Sequence, residues 1–389
     1  MIVSMPVDVI VPVFNQPAFV RACIQSLISA KQQTPFEIIA IDDASPDTET
    51  KALLDRFASE GAISLLRNPQ NQGFTRTVNR GMALHQDRDV VLLNSDTVVH
   101  GDWLDRMRSC AYAFDRIATV NPMTSQFGSH IGCYPGLSRR FEGELELDGG
   151  ELARVCAAQN AHQWADVHTT VGFCMYIKRA CLKDVGLFDV RHFPIAYGEE
   201  SDFCYRARKV GWLHRIAGDA YVEHFEGKSF QATKKKLMED MLTVFTSLHP
   251  EVVTLDAGFR RRDPVRHLRE GMDLGRLKRL LNGCDTLIVR ERNTAMVSRE
   301  PAWLIYDVGS RTLSFGMATD PDSFPNLPTF SLGRQIVKIN YVLKALGIRT
   351  LAAAPSSIFD TLRQQCAVLP FEIPLDFEIV EAKDLQPPS

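Results

Sequence analysis

From Val7 to Leu93, apolar runs rich in β-branched residues alternate with stretches whose apolar positions recur every three or four residues. Val7–Val13 reads as a strand, Phe19, Val20, Cys23, Ile24, Leu27 and Ile28 share one helical face, and Phe36–Ile41 is apolar again. Pro12 reads as the end of the first strand, and Pro17 falls in the first helical turn, where a missing N–H costs little. A helix at Thr48–Ala58, a strand at Ile63–Arg67, a helix opening near Gly73 and a strand at Asp89–Leu93 continue the pattern. This alternation predicts an α/β fold with a mostly parallel sheet flanked by helices. Ligands in such sheets bind beyond the carboxyl ends of the strands, so Pro12–Asn15, Asp42–Ser45 and Asn94–Thr97 are expected along one rim.

From Asn121 to Asp166 the periodicity weakens, and extended loops over the rim with small elements, rather than a second core, are expected. A strand at Thr169–Ile177, a short helix at Cys181–Val185, an acid-rich helix start at Glu199–Val210 and a strand at Ala220–His224 follow, then a glycine turn at Gly227. Beyond residue 250 the character changes. Leu268, Met272, Leu277, Leu280 and Leu281 lie in one basic amphipathic helical region. Strands at Thr286–Val289, Trp303–Val308, Thr312–Phe315 and Thr350–Ala353, with a helix at Gly333–Leu346, complete a small α/β appendage. The expected division is therefore a domain over residues 1–250 and a helical linker with appendage over 251–389, its tail frayed at Pro387–Ser389.

Of the 389 residues, 44 are Lys or Arg and 47 Asp or Glu, a net charge of −3 that argues against a nucleic-acid-coating surface. No run approaches the roughly 18 apolar residues of a membrane span, and the N-terminus lacks the pattern of a secretion signal, so a cytoplasmic location is expected. The basic runs Lys234–Lys236 and Arg260–Arg262 read first as solvated helix faces and second as peripheral contacts to an anionic inner membrane face. Nine cysteines stand singly without a C-x-x-C pair, which fits reduced, mostly buried thiols rather than disulfides or zinc. Neither a G-x-S-x-G elbow nor a phosphate-binding G-x-x-x-x-G-K-[ST] or G-x-G-x-x-G loop occurs.

The candidate chemistry starts from Asp42, Asp43 and Asp96, which at neighbouring strand ends would repel unless a cation or hydrogen-bonding ligand joined them. Mg²⁺ prefers one or two carboxylates plus phosphate oxygens, which singles out Asp96. Taken singly, Asp42 and Asp47 read as an Asx-turn or a helix cap.

In order, the segments VDVIVPVFNQ, EIIAIDDASPD, LLRNPQNQGFTRTVNRGM, DVVLLNSDT, VGFCMYIKR, DVGLFDVRHFPIAYGEESDFCYRARKVGW and AYVEHFEGKSF resemble the inverting family 2 glycosyltransferases over about residues 7–231. The resemblance implies a glycosyltransferase A fold with a nucleotide-sugar-binding sheet. It also implies a UDP- or dTDP-sugar donor, Mn²⁺ or Mg²⁺, and hexosyl or rhamnosyl transfer to a glycan or lipid-linked glycan in cell-surface polysaccharide synthesis. Pro12, Phe14 and Asn15 then match the segment lining base and ribose, and Asp43 the carboxylate that accepts a hydrogen bond from the base. Gly73 and Phe74 match the diphosphate-side loop, where a glycine lets backbone approach the ligand. The family's D-x-D is here Asn94-Ser95-Asp96, an amide replacing its first carboxylate, so Asp96 is the main metal ligand and His224 completes the shell.

The base is expected in GEESDF, where Glu200 stands at a position the family fills with aspartate and Asp202 is the fallback. Glu199 reads as structural, in contact with Arg206 or Arg208. Trp164, Phe193, Tyr197 and Trp212 read mostly as core, with stacking on acceptor sugars as the alternative. Asn94 and Glu200 also motivate a second reading, a catalytically silent nucleotide-sugar-binding or scaffold subunit. Residues 251–389 read further as a module coupling the chain to a partner transferase.

Overall fold

The computed structural model describes residues 5–125, 132–134, 145–225, 231–281, 283–291, 303–307, 310–316, 327–354, 356–366 and 377–381. The expected glycine turn at Gly227, the side chains of Lys234 and Lys235, and the tail at Pro387–Ser389 lie outside what is described. The chain forms two compact units, residues 1–137 with 149–269, and residues 138–148 with 270–389. The first unit runs past residue 250 because the following segment packs into it: Phe259 and Leu268 are buried, and Asn160 Nδ2 donates to Leu268 O (3.0 Å).

In the first unit β1 (Val7–Val13), α1 (Pro17–Ser29), β2 (Phe36–Asp42), α2 (Thr48–Ser59), β3 (Ser64–Arg67), α3 (Phe74–Met82) and β4 (Val90–Leu93) follow the expected alternation. Next come β5 (Thr97–Val99), α4 (Trp103–Tyr112), β6 (Ile117–Met123), α5 (Gly149–Gln159), β7 (Trp164–Val167), β8 (Cys174–Ile177), α6 (Arg179–Val185) and α7 (Glu199–Lys209). β9 (Leu213–His224), α8 (Gln231–Leu248) and α9 (Val252–Arg262) complete it. Two small elements, α5 and β7, occupy the stretch expected to hold loops and small elements; α5 has Leu152, Val155 and Cys156 buried on one side.

The sheet order is β3-β2-β1-β4-β8-β6-β9-β5, with β7 beside β9. β3, β2, β1 and β4 are parallel, as are β6 and β9, whereas β8 runs antiparallel to both β4 and β6, and β5 and β7 antiparallel to β9. The sheet is thus mixed, with its six parallel strands split around β8. β1 is buried on both faces, as a central parallel strand must be. Val7, Val9, Val11 and Val13 pack with residues of α1, α2 and α4, while Ile10 packs with Val78, Phe203 and Cys204 of α3 and α7 on the other side.

Pro12 does not end β1 but pairs with Ile41 inside it. Asp8 N–H bonds Asp89 O on the β4 side, and the two-residue alternation turns Pro12 to that side too, beyond the last β4 pair at Ile10. Its missing N–H therefore breaks no ladder bond. Phe193 and Trp212 are buried, as expected. All nine cysteines are free, and eight are buried.

In the second unit α10 (Arg266–Leu281) precedes β10 (Thr286–Glu291), β11 (Trp303–Asp307), β12 (Thr312–Gly316), β13 (Thr329–Ser331), α11 (Leu332–Leu346), β14 (Thr350–Ala354), α12 (Ser356–Cys366) and β15 (Glu378–Glu381). The division between units falls within the first turn of α10. The helical region expected as one piece breaks at Asp263, whose φ is 43°. Strand order is β13-β12-β11-β10-β14-β15, over a core that includes Leu287, Val289, Leu351, Leu343 and Leu362. Buried Arg276 makes a two-pronged ion pair with Glu146 (2.8 and 2.6 Å).

In the first unit, His214 is wholly buried between Thr119 Oγ1 (2.7 Å from Nδ1) and Cys204 O (3.0 Å from Nε2). Its partners assign an Nε2–H donor and an Nδ1 acceptor, and burial pushes its pKa down from 6.5 to about 3. The unfolded chain binds the proton first, so the contribution to stability is complete above pH 6.5 and is lost as pH falls toward 3. In denaturant titrations between pH 6.5 and 4, His214→Gln is expected to remove a slope of up to about 1.4 kcal/mol per pH unit. Parallel slopes for wild type and variant would contradict this.

Candidate active site

At the end of β1 the chain turns sharply through Asn15 and Gln16, with φ of 58° and 62°. Asn15 stitches this turn to the loop after β2: its N–H donates to Ser45 Oγ (2.9 Å), and its Oδ1 accepts from Asp47 N (3.3 Å). Phe14 projects beside it, 46% exposed. Asp42 closes the loop after β2, accepting from Ser45 N three residues on (2.9 Å) and from Arg67 Nε (3.4 Å), and Asp47 caps α2 through Glu49 N and Thr50 N. Neither needs a cation, so the expected mutual repulsion of the rim aspartates is relieved by protein donors.

Asp43 is buried and accepts three hydrogen bonds, from Asn68 Nδ2 (2.7 Å), Gln72 N (2.8 Å) and Gly73 N (3.0 Å). An ionised carboxylate has about four lone-pair sites, which leaves room for one further donor. Gly73 has φ +78°, and a Cβ there would lie 2.9 Å from Ile195 O. The glycine therefore accommodates the chain's own Ile195 segment.

Asn94 and Ser95 lie partly exposed between β4 and β5. Asn94 is tied by its backbone, N–H to Phe173 O (2.8 Å) and C=O from Thr97 Oγ1 (2.7 Å). Pairing of Thr97 with His224 across β5 and β9 brings Asp96 Oδ1 to 3.1 Å from His224 Nε2, and Phe225 N donates to Asp96 O (2.8 Å). The His224 ring is stacked on Phe173, centroids 5.0 Å apart and planes 10° apart, and its buried Nδ1 has no partner among the described residues. One carboxylate oxygen and one imidazole nitrogen at this separation suit a divalent ion whose other ligands come from phosphate or water. Asp8, Glu37 and His85 also cluster, but Arg88 bridges both carboxylates (3.1 and 2.7 Å) at the opposite end of β1, as an ion-pair network rather than a cation site.

α7 opens at Gly198, φ 100°, with Glu199, Glu200 and Asp202 in its first turn. Asp202 is buried and has a partner on each oxygen, Arg206 Nε (2.7 Å) and His249 Nε2 (2.9 Å) just past α8. Arg206 thus pairs with Asp202 and not, as expected, with Glu199. Glu199 is buried; burial first, then the charge of Glu200, push its pKa well above the carboxylate range. Burial also raises Glu200, but the backbone N–H groups of Glu200, Gly172 and Gly198 and the Glu199 carboxyl pull it back. Glu199 and Glu200 thus stand as a hydrogen-bonded pair of acids, Glu199 buried and Glu200 partly exposed. A Cβ on Gly172 would lie 3.5 Å from Phe74 and 3.9 Å from Glu200, so Phe74 and Glu200 flank one backbone position.

Sequence reasoning passed over the residue that holds this segment. Asn121, buried on β6, donates to Val171 O (2.7 Å) and Cys174 O (2.8 Å) and accepts from Val171 N (3.1 Å). An amide inside the apolar run ATVNPM was the available signal.

The sheet and its rim define an α/β domain of the glycosyltransferase A type. Residues 8–185 match the family model described as Glycosyl transferase family 2. Among relatives, an uncharacterized protein y4gI of Sinorhizobium fredii is 23% identical over 228 residues, 57% of this chain and 25% of that protein. An N-acetylglucosaminyltransferase of Azorhizobium caulinodans is 31% identical over 106 residues, 26% of each chain. An N-acetylglucosaminyl-diphospho-decaprenol L-rhamnosyltransferase of Mycobacterium tuberculosis is 24% identical over 226 residues, 52% of this chain and 70% of that enzyme. The matched part is about a quarter of the length of the first two relatives. Among the described residues, no helix is long and apolar enough to cross a membrane.

Gly61 and Gly73 separate strain from collision, since both have positive φ but a Cβ on Gly61 meets nothing within 4 Å. Gly61→Ala is expected to lower stability by about 1 kcal/mol and Gly73→Ala by about 2–3 kcal/mol, measured by denaturant unfolding. Equal losses would show that the Ile195 contact is not a constraint.

Proposed function

We propose that this chain transfers a sugar from a nucleotide-diphosphate donor to a hydroxyl of a glycan acceptor, with inversion, and that Glu200 is the base. The observation that carries the assignment is the different placement of the three acids on α7: Asp202 is held by Arg206 and His249, Glu199 is buried, and Glu200 is partly exposed beside the backbone of Gly172. In the transfer, the acceptor hydroxyl gives its proton to a Glu200 carboxylate oxygen as its oxygen bonds the anomeric carbon. The bond from that carbon to the diphosphate breaks on the opposite face.

Asp96 and His224 would hold a divalent ion, Mn²⁺ or Mg²⁺, which when bound offsets the charge of the leaving diphosphate. Pro12, Phe14 and Asn15 would flank the nucleoside, with Asn94 and Ser95 beside the diphosphate. The remaining lone pair of Asp43 suits the imide N–H of uracil or thymine, hence a UDP- or dTDP-sugar. Similarity to the mycobacterial rhamnosyltransferase supports a lipid-linked glycan as acceptor class.

Release of nucleoside diphosphate from a panel of UDP- and dTDP-sugars, with Mn²⁺, Mg²⁺ or EDTA, tests this reading. Metal-stimulated release is expected for one nucleotide class and is lost in Asp96→Ala. Glu200→Gln is expected to lower kcat by about 10²–10⁴ with donor binding retained, while Glu199→Gln, a mimic of the protonated acid, keeps most turnover. The acid limb of the pH–rate profile should sit above the ordinary carboxylate range, because burial raises Glu200. Wild-type turnover in Glu200→Gln would remove it from the mechanism.

A further inference from the structure

Beside the loop that binds Asp43 lies a cavity of about 550 Å³ onto which Arg67, Arg76 and Arg80 face, with the amides of Asn68, Gln72 and Asn79 between them. No acidic side chain lines it among the described residues. Arg67 is balanced by carboxylates, Asp42 at 3.4 Å and Asp55 at 2.9 Å. The other two guanidinium groups are not. Arg80 donates to neutral acceptors, Arg67 O (2.8 Å) and Asn68 Oδ1 (2.7 Å). Arg76, one turn earlier on α3, is exposed and has no hydrogen bond or ion pair among the described residues. The nearby acid Asp189 is turned to its own loop, accepting from Arg191 N (2.8 Å) and pairing with His192 Nδ1 (2.7 Å).

Arginine stays charged at any pH the fold survives, so two uncompensated guanidinium groups facing one cavity favour an anion there. Their planar forks match phosphate oxygens, two N–H groups at a time, and the amides add neutral donors. The volume admits more than a single small ion. We propose that this cavity is a binding site for a phosphoryl group, with Arg76 and Arg80 as its main ligands. The group comes either from the diphosphate of a lipid-linked molecule or from a free phosphate compound. The occupant would be linked to the rim, since Asn68 accepts from Arg80 and donates to Asp43 (2.7 Å). The site goes beyond the sugar-transfer reading and does not depend on it.

Calorimetric titration of inorganic pyrophosphate into the full chain in EDTA tests the site, because EDTA removes any metal-bridged binding at the strand ends. Binding is expected in wild type, about tenfold weaker in Arg76→Ala, abolished in Arg76→Glu and unchanged in Asp96→Ala. Arg76 is exposed and unbonded, so both substitutions should fold, which thermal melting verifies. Four results would overturn the proposal: no binding to wild type, wild-type affinity in Arg76→Glu, loss of binding in Asp96→Ala, or glucuronate binding as tightly as pyrophosphate. Detergent-dispersed polyprenyl diphosphate distinguishes the sources. Competition at concentrations well below those of pyrophosphate assigns a lipid diphosphate, and equal or weaker competition assigns a free phosphate compound; both keep the phosphoryl site.

Discussion

Most of the rim depends on how one turn, Val171–Phe173, is held between β4 and β6. Three hydrogen bonds with Asn121, two donated by its amide and one accepted from Val171 N, fix Val171 and the adjoining Cys174, and Asn94 N–H closes the turn against the end of β4. From that position Phe173 supplies the face on which His224 stacks, and Gly172 supplies backbone to Glu200 and space to Phe74. The proposed metal pair and the proposed base therefore share a support, although 24 residues separate Glu200 from His224 in the chain. The antiparallel insertion of β8 into an otherwise parallel run delivers this turn to the strand ends.

The acids of the first unit show how environment assigns roles to identical groups. Asp8 is neutralised by Arg88 and His85, Asp42 by a turn and an arginine, Asp43 by three donors, and Asp202 by Arg206 and His249. These carboxylates are spent on holding loops and a helix in place. Glu200 differs because its neighbours are backbone groups and a second acid, an arrangement that leaves the carboxylate able to accept a proton. Asp96 differs because its partner is an imidazole, a group that can itself ligate a metal.

Much of this was legible in the sequence. The strands and helices from β1 to β4, the convergence of three loop segments and the neighbourhood of Asp96 and His224 follow from alternation and from matched segments. Strand direction did not, because the apolar run Cys174–Ile177 reads alike in either sense and its antiparallel pairing is decided by distant partners. The engagement of Asp202 by His249, 47 positions away, could not be read from the sequence either. Gly73 was legible as a point of close backbone approach, but its neighbour Ile195, 122 positions on, was not. Arg76 and Arg80 look like an ordinary solvated face until the end of β3 and the loop before α3 are seen to form an open groove with them.

The dependence of both halves of the rim on one turn is most directly tested in Asn121→Ala. Near-ultraviolet circular dichroism would verify the fold, metal-dependent nucleotide binding would read Asp96 and His224, and single-turnover kinetics would read Glu200. The account predicts that both functional readouts fall together, by at least about tenfold each, as three hydrogen bonds to the turn are lost. A folded variant in which both are unchanged would contradict it.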